Sequence, residues 1–188
     1  GGSGSGKTTI AAALQQYFLN DNTACYVLTG DNYPHRIPMR NDEERLNVYN
    51  ESGEDGLRGY LGTPEEIDFD RINKELSEFK EGKDIIEIKH MGREDGDISY
   101  DETDFTGIKV LILEWTHGGS EYLKGVDIPV FLESSPEETK ARRIKRGRDE
   151  NAASPFICRV VELEQEKLDL QSKNARIVVG KDGKVYEQ

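Results

Sequence analysis

Apolar positions along this chain alternate between two spacings, one helical and one strand-like. Residues 7–19 lack proline and internal glycine, and Ile10, Leu14, Tyr17 and Phe18 recur near helical spacing before Asn20-Asp21-Asn22 closes the segment. Residues 23–29 (TACYVLT) form a short apolar run ended by Gly30-Asp31-Asn32, the pattern of a strand giving way to a loop. Residues 41–62 are polar and contain Gly53, Gly56, Gly59 and Gly62, so a short helix followed by a mobile loop is expected. Thr63-Pro64-Glu65-Glu66 has the form of a capping box with proline at the first helical position. It predicts a helix that carries Phe69, Ile72, Leu76 and Phe79 on one face and stops at Gly82.

The second half continues the alternation. Residues 84–89 (DIIEIK) read as a strand, and the polar, acidic residues 90–106 as a loop. Val110-Leu111-Ile112-Leu113 is a continuous apolar run of the kind buried on both faces, and Glu114 ends it. Residues 128–132 repeat that pattern, and Ser135-Pro136-Glu137-Glu138 caps a predicted helix running through Arg146. A long charged helix over 155–171, a strand over 176–179 and an Asp182-Gly183 turn into residues 184–186 complete the chain. Strands alternating with helices predict an α/β fold in three layers, a mainly parallel sheet with helices on both faces.

At 188 residues the chain fits one domain, 1–188. Its net charge of −12 argues against broad contact with nucleic acid or an anionic membrane. Cys25 and Cys158 lack the spacing of a disulfide framework or zinc site and read as reduced thiols. Neither an apolar stretch of about 20 residues nor a signal-peptide core is present, so a cytoplasmic protein is expected. Assembly into homo-oligomers is left open.

The chemistry is concentrated at the start. Gly1-Gly2-Ser3-Gly4-Ser5-Gly6-Lys7-Thr8 is a phosphate-binding P-loop. Its glycines allow the tight turn that converges backbone N–H groups on a β-phosphate, its lysine adds charge, and its threonine supplies a hydroxyl to Mg²⁺. ATP and Mg²⁺ are the expected cofactors, with Gly2, Ser3, Gly4, Ser5, Gly6, Lys7, Thr8 and Thr9 at the nucleotide. A flexible glycine-serine linker would share the composition, but a helical pattern follows Lys7-Thr8 at once, as a P-loop requires. A P-loop also follows a strand, and none precedes Gly1. The expectation is a trimmed chain whose natural form adds about ten residues, a strand and its lead-in.

Glu114, at a strand end, is the candidate Mg²⁺ carboxylate beside Thr8. Asp31 is the candidate base for an attacking hydroxyl, although a turn would favour aspartate there anyway. Arg142 and Arg146 are four apart on one predicted helix face, with Arg143 adjacent. They are candidates to close over a triphosphate as a lid at about residues 140–153, and a solvated basic face is the plain alternative. Tyr33, His35 and Arg36 follow Asp31 and are candidate acceptor contacts, with Arg40 and Arg45 extending the basic group. His117 and Trp115 follow the Glu114 strand end and join the candidates, although a lone histidine is more often structural.

These pieces resemble the uridine kinase and phosphoribulokinase family of P-loop kinases. The match rests on GGSGSGKTT, Asp31-Asn32-Tyr33 after the second strand, residues 64–85, VLILE ending at Glu114, and ARRIKR before Gly147. The resemblance implies that Asp31 is the catalytic base, that Glu114 serves the metal and that residues 142–146 belong to the lid. Gly62-Thr63-Pro64 stands where uridine kinases carry Asp-His-Pro, so the aspartate expected to bind a nucleoside ribose is missing. The implied activity is transfer of the γ-phosphoryl group of Mg-ATP to a hydroxyl of a small metabolite, a sugar, sugar phosphate or nucleoside-like compound. A GTPase switch would need an Asn-Lys-x-Asp segment, which the sequence lacks. A nucleotide-binding module or NTPase without acceptor turnover is the alternative.

Overall fold

The computed structural model describes residues 1–134, 139 and 154–188. The expected cap at residues 135–138 and the helix bearing Arg142, Arg143 and Arg146 lie outside the described residues.

Helix α1 (Lys7–Asn20) starts at Gly6, whose φ of 101° lies in the left-handed region that glycine adopts without strain. Strand β1 (Cys25–Thr29) pairs in parallel with β4 (Val110–Glu114), in a register that sets Thr29 opposite Glu114. α1 packs on both strands. The β4 side chains are half-buried throughout rather than sealed on both faces, and among the described residues β4 pairs with β1 alone.

Two expectations about helices are corrected. Residues 41–62 do not form a short helix and a loop: α2 runs over Pro38–Tyr60 and departs from helical geometry only at Gly53, with φ 67° and ψ −161°. Its glycines weaken the intrinsic preference for helix, but Leu57 and the following Leu61 bury completely against Val160 and Leu163 of α4 (Pro155–Gln171), and packing prevails over propensity. Helix α3 (Phe69–Lys80) begins at Asp68, whose side chain accepts from the Arg71 N–H at 3.0 Å, rather than at the Thr63 box. Thr63 instead turns its hydroxyl onto the Tyr60 carbonyl, 2.7 Å away, and Glu66 is engaged elsewhere.

Residues 90–106 are also more ordered than a loop. β2 (Ile85–Met91) and β3 (Ile98–Asp104) form an antiparallel hairpin from Ile85↔Asp104 to Met91↔Ile98. β3 is polar and largely exposed, so it carries little of the apolar alternation that marks a strand in sequence. Its ladder is made by backbone groups. β5 (Val130–Leu132) pairs in parallel with β6 (Ile177–Val179), and β7 (Val185–Glu187) returns antiparallel to β6. The main core lies under β1 and β4, where Leu28, Ile72, Ile86 and Ile88 are at most 2 % exposed. No described helix is long and apolar enough to cross a membrane.

Candidate active site

The P-loop lies at the C-terminal ends of β4 and β5. A Cβ on Gly1 would stand 2.6 Å from the Leu132 carbonyl at the end of β5, and Lys7 and Glu114 both lie within electrostatic reach of the Gly1 nitrogen. Gly4 (φ 86°) and Gly6 (φ 101°) take the left-handed conformations that fold the loop back, and the Ser5 N–H donates to the Gly2 carbonyl at 3.1 Å. Lys7 Nζ donates to that same carbonyl at 3.0 Å, so the ammonium arches over the loop. α1 has no side-chain cap and no acid in its first turn, and its positive end faces the loop. Thr8 and Thr9 are exposed in that turn. Oxygen donors from a threonine hydroxyl and the Glu114 carboxylate suit a hard cation such as Mg²⁺.

The Thr29–Glu114 register brings the two downstream segments, Gly30-Asp31 and Trp115-His117, to one end of the sheet. There Asp31 and residues 115–117 line a cleft of roughly 280 Å³. A Cβ on Gly30 would fall 1.9 Å from Trp115 Cγ, so only glycine lets the indole lie on this backbone. Asp31 occupies the exposed middle of a 3₁₀ turn, Gly30–Asn32, at the cleft wall.

Tyr33 does not reach the cleft, contrary to expectation. Its side chain is fully buried, and its hydroxyl donates to Glu75, which also accepts from Arg71 Nε at 2.6 Å and the Lys89 N–H at 3.1 Å. Burial, reinforced by Glu75, pushes the phenol pKa far up and keeps the donor protonated. Tyr33 thus anchors the turn that carries Asp31. Further bonds fasten the same loop: Asp68 N–H to the Tyr33 carbonyl (2.8 Å), His35 N–H to the Glu66 carbonyl (2.9 Å) and Lys89 Nζ to the Pro34 carbonyl (3.0 Å).

His35 and Arg36 stand outside the lining. The exposed His35 ring meets the Pro64 carbonyl at 3.0 Å, while Arg36 reaches the Tyr60 hydroxyl at 3.3 Å and Glu44 at 3.5 Å. His117 does line the cleft, with its ring against Gly62, where a Cβ would be 2.9 Å from Cε1. Burial drives its pKa down to about 4, with Glu66 pulling upward and Arg45 downward, so the imidazole is neutral near pH 7.

The far wall holds residues that motif reading had not assembled. Glu66, 1 % exposed, accepts from Asn41 Nδ2 (2.9 Å), Arg45 Nε (2.6 Å) and the Gly62 N–H (2.6 Å). Burial favours its neutral form, but Arg45 and those N–H donors outweigh burial and hold its pKa below the usual carboxylate value. Arg45 also donates to Glu164 of α4 at 2.9 Å and lies 3.6 Å from Asp42. Asn41 and Arg45 are four apart on α2, one helical turn, which was a usable signal once α2 was known to be a helix. Nothing local marked Glu164.

The chain matches the model of the Phosphoribulokinase / Uridine kinase family over residues 1–179. It is 76 % identical over 188 residues to the "Bifunctional alpha-galactosidase/sucrose kinase AgaSK" of Mediterraneibacter gnavus, an alignment covering all of this chain and 20 % of that protein. The chain therefore spans about a fifth of the length of that curated relative. Among solved structures, the phosphoribulokinase from Rhodobacter spheroides superposes with a TM-score of 0.69 at 14 % identity, over 95 % of this chain and 67 % of that one. The YGR205w protein superposes at 0.54 and 10 % identity, over 100 % and 86 %. At these identities the two structures speak for the fold, the α/β P-loop kinase fold. With that fold and a family match over nearly its whole length, the chain belongs to the phosphoribulokinase/uridine kinase family of kinases.

Proposed function

We propose that this chain transfers the γ-phosphoryl group of ATP to a hydroxyl of a small uncharged sugar, and that sucrose, named for its 76 %-identical relative, is the acceptor. The observation that carries this reading is the Thr29↔Glu114 register, which brings Asp31 and Glu114 to neighbouring strand ends beside the P-loop. In this reading the loop N–H groups and Lys7 hold the β- and γ-phosphates. Thr8 and Glu114 hold Mg²⁺, which would neutralise charge on the phosphates. Asp31 accepts the proton of the acceptor hydroxyl as its oxygen bonds to the γ-phosphorus. The bond from that phosphorus to the bridging oxygen breaks, and ADP leaves. His117 and Asn41 orient the acceptor, and Arg142, Arg143 and Arg146 close over the triphosphate.

Acceptor-dependent ADP formation tests the proposal. Sucrose should accelerate ADP release, whereas uridine and cytidine should not. ADP release that no hydroxylated compound accelerates would leave a nucleotide-binding module without acceptor turnover.

A further inference from the structure

Arg45 is the cation among the described residues that line the acceptor cleft, and three carboxylates already surround it. Nε donates to Glu66 at 2.6 Å, Nη2 donates to Glu164 at 2.9 Å, and Nη1 lies 3.6 Å from Asp42. The three acids come from three places: the turn before α3, α4, and the preceding turn of α2. A phosphate ester is normally gripped by the two parallel N–H groups of a guanidinium edge. Here those edges are committed. Asp31 adds a fourth carboxylate to the lining, so the local field opposes an incoming dianion.

The same wall suits hydroxyl groups. Asn41 is 6 % exposed, and its Nδ2 is held by Glu66, which as a carboxylate takes only donors. That fixes the amide orientation and leaves Oδ1, on a residue of the lining, buried without a hydrogen-bond partner among the described residues. The exposed carboxylates of Asp31 and Asp42 offer a sugar the acceptors its hydroxyls need.

We infer that the Asp42–Glu66–Glu164 cage around Arg45 is the specificity determinant of the cleft, admitting uncharged polyhydroxylated acceptors and rejecting their phosphate esters. This rests on the sugar-kinase reading above and narrows it. Glu164 is the key position, because it reaches Arg45 from another helix and can be neutralised without touching α2. A cage that merely fastened α2 to α4 would affect stability and leave ligand choice alone.

The test uses the full chain with the triphosphate site filled by a non-hydrolysable ATP analogue, so that an ester cannot place its phosphate in the γ position. Calorimetric affinities for sucrose and for a monophosphate ester of sucrose are measured on wild type, Glu164→Gln, Asp42→Asn and Glu164→Gln/Arg45→Gln. Wild type should prefer sucrose. Glu164→Gln should raise affinity for the ester by about tenfold, the scale of a recovered charge-assisted contact, and shift sucrose only a few-fold. Adding Arg45→Gln should erase the gain. Asp42→Asn, on the exposed side of the cage, should give a smaller gain and carries the test if Glu164→Gln does not fold. Equal affinity of wild type for both ligands, or unchanged ester affinity in the folded single variants, overturns the inference. Selective sucrose binding without acceptor-dependent ADP formation would overturn the kinase reading and leave the selectivity standing.

Discussion

The two walls of the cleft beside Asp31 are built on different principles. The wall bearing Asp31 rests on apolar burial: Tyr33, Ile72, Ile86 and Ile88 are sealed beneath it, and Trp115 lies flat on the Gly30 backbone. The opposite wall, where α2 meets α4, has a small apolar patch of Leu57, Leu61, Val160 and Leu163 and is otherwise held by ion pairs. Burial fixes a side chain within a fraction of an ångström, whereas charged pairs tolerate exchange. On the proposed reading, the base that must meet a hydroxyl at one geometry stands on the first wall, and the groups that would choose among acceptors on the second.

Asp31→Asn probes the rigid wall where the effect should be largest. Acceptor phosphorylation should fall by about 10²–10⁴-fold, with ATP affinity and melting temperature near wild type. A rate within a few-fold of wild type would remove Asp31 as the base. A structural turn aspartate would instead lower stability and leave activity in the folded fraction.

Ile72→Ala attacks the burial beneath that wall. Denaturant unfolding should show a loss of about 2–5 kcal/mol, because a fully buried side chain leaves a cavity. A loss well under that range would mean that the core collapses readily.

His117 stands between the walls and gives a pH signature. Its folded pKa of about 4 lies below the ordinary 6.5, so the unfolded chain takes up a proton in that interval while the folded one does not. Stability is therefore full above pH 6.5 and falls as pH drops toward 4, by roughly 3 kcal/mol. Glu66, with its lowered pKa, adds a further loss below about pH 4.5, the ordinary value for a glutamate. His117→Gln should flatten the slope between pH 6.5 and 4 in denaturant titrations, and an unchanged slope would place the linkage elsewhere.

The smallest effect belongs to the ion-paired wall. Glu54 meets Arg159 Nε at 2.9 Å and Arg58 at 3.2 Å in solvent. Glu54→Gln should lower the melting temperature slightly at low salt and not at all near about 1 M salt, where exposed pairs are screened. A large, salt-independent loss would make this wall as rigid as the other.

What the sequence disclosed follows the same division. The P-loop, β1, β4 and the acids at their ends are local signals, since glycine spacing and short apolar runs need no knowledge of distant partners. The second wall depends on distant partners. The later part of α2 reads as a loop because its glycines are read one by one, while the α4 leucine and valine that bury Leu57 lie some hundred residues away. Glu66 looked like a capping acid, and only the folded chain shows it buried against Arg45, Asn41 and Gly62. Tyr33 reads as a ligand contact beside Asp31, yet a tyrosine just past a turn can point inward as easily as outward, and Glu75 waits on the inside. β3 escaped notice because an exposed, acidic strand has no apolar rhythm. Arg142, Arg143 and Arg146 lie outside the described residues and stay proposals.

The indole resting on Gly30 has an optical consequence. Trp115 is the single tryptophan of the chain, it lines the cleft, and its ring meets those of Phe69 and His117 at centroid separations of 5.6 Å. All tryptophan emission from these 188 residues therefore originates within the cleft, one residue from Asp31 through the glycine it covers. An acceptor that binds there, as proposed, would change the polarity and quenching around that one ring, and the domain would report its own occupancy as a change of fluorescence without any label.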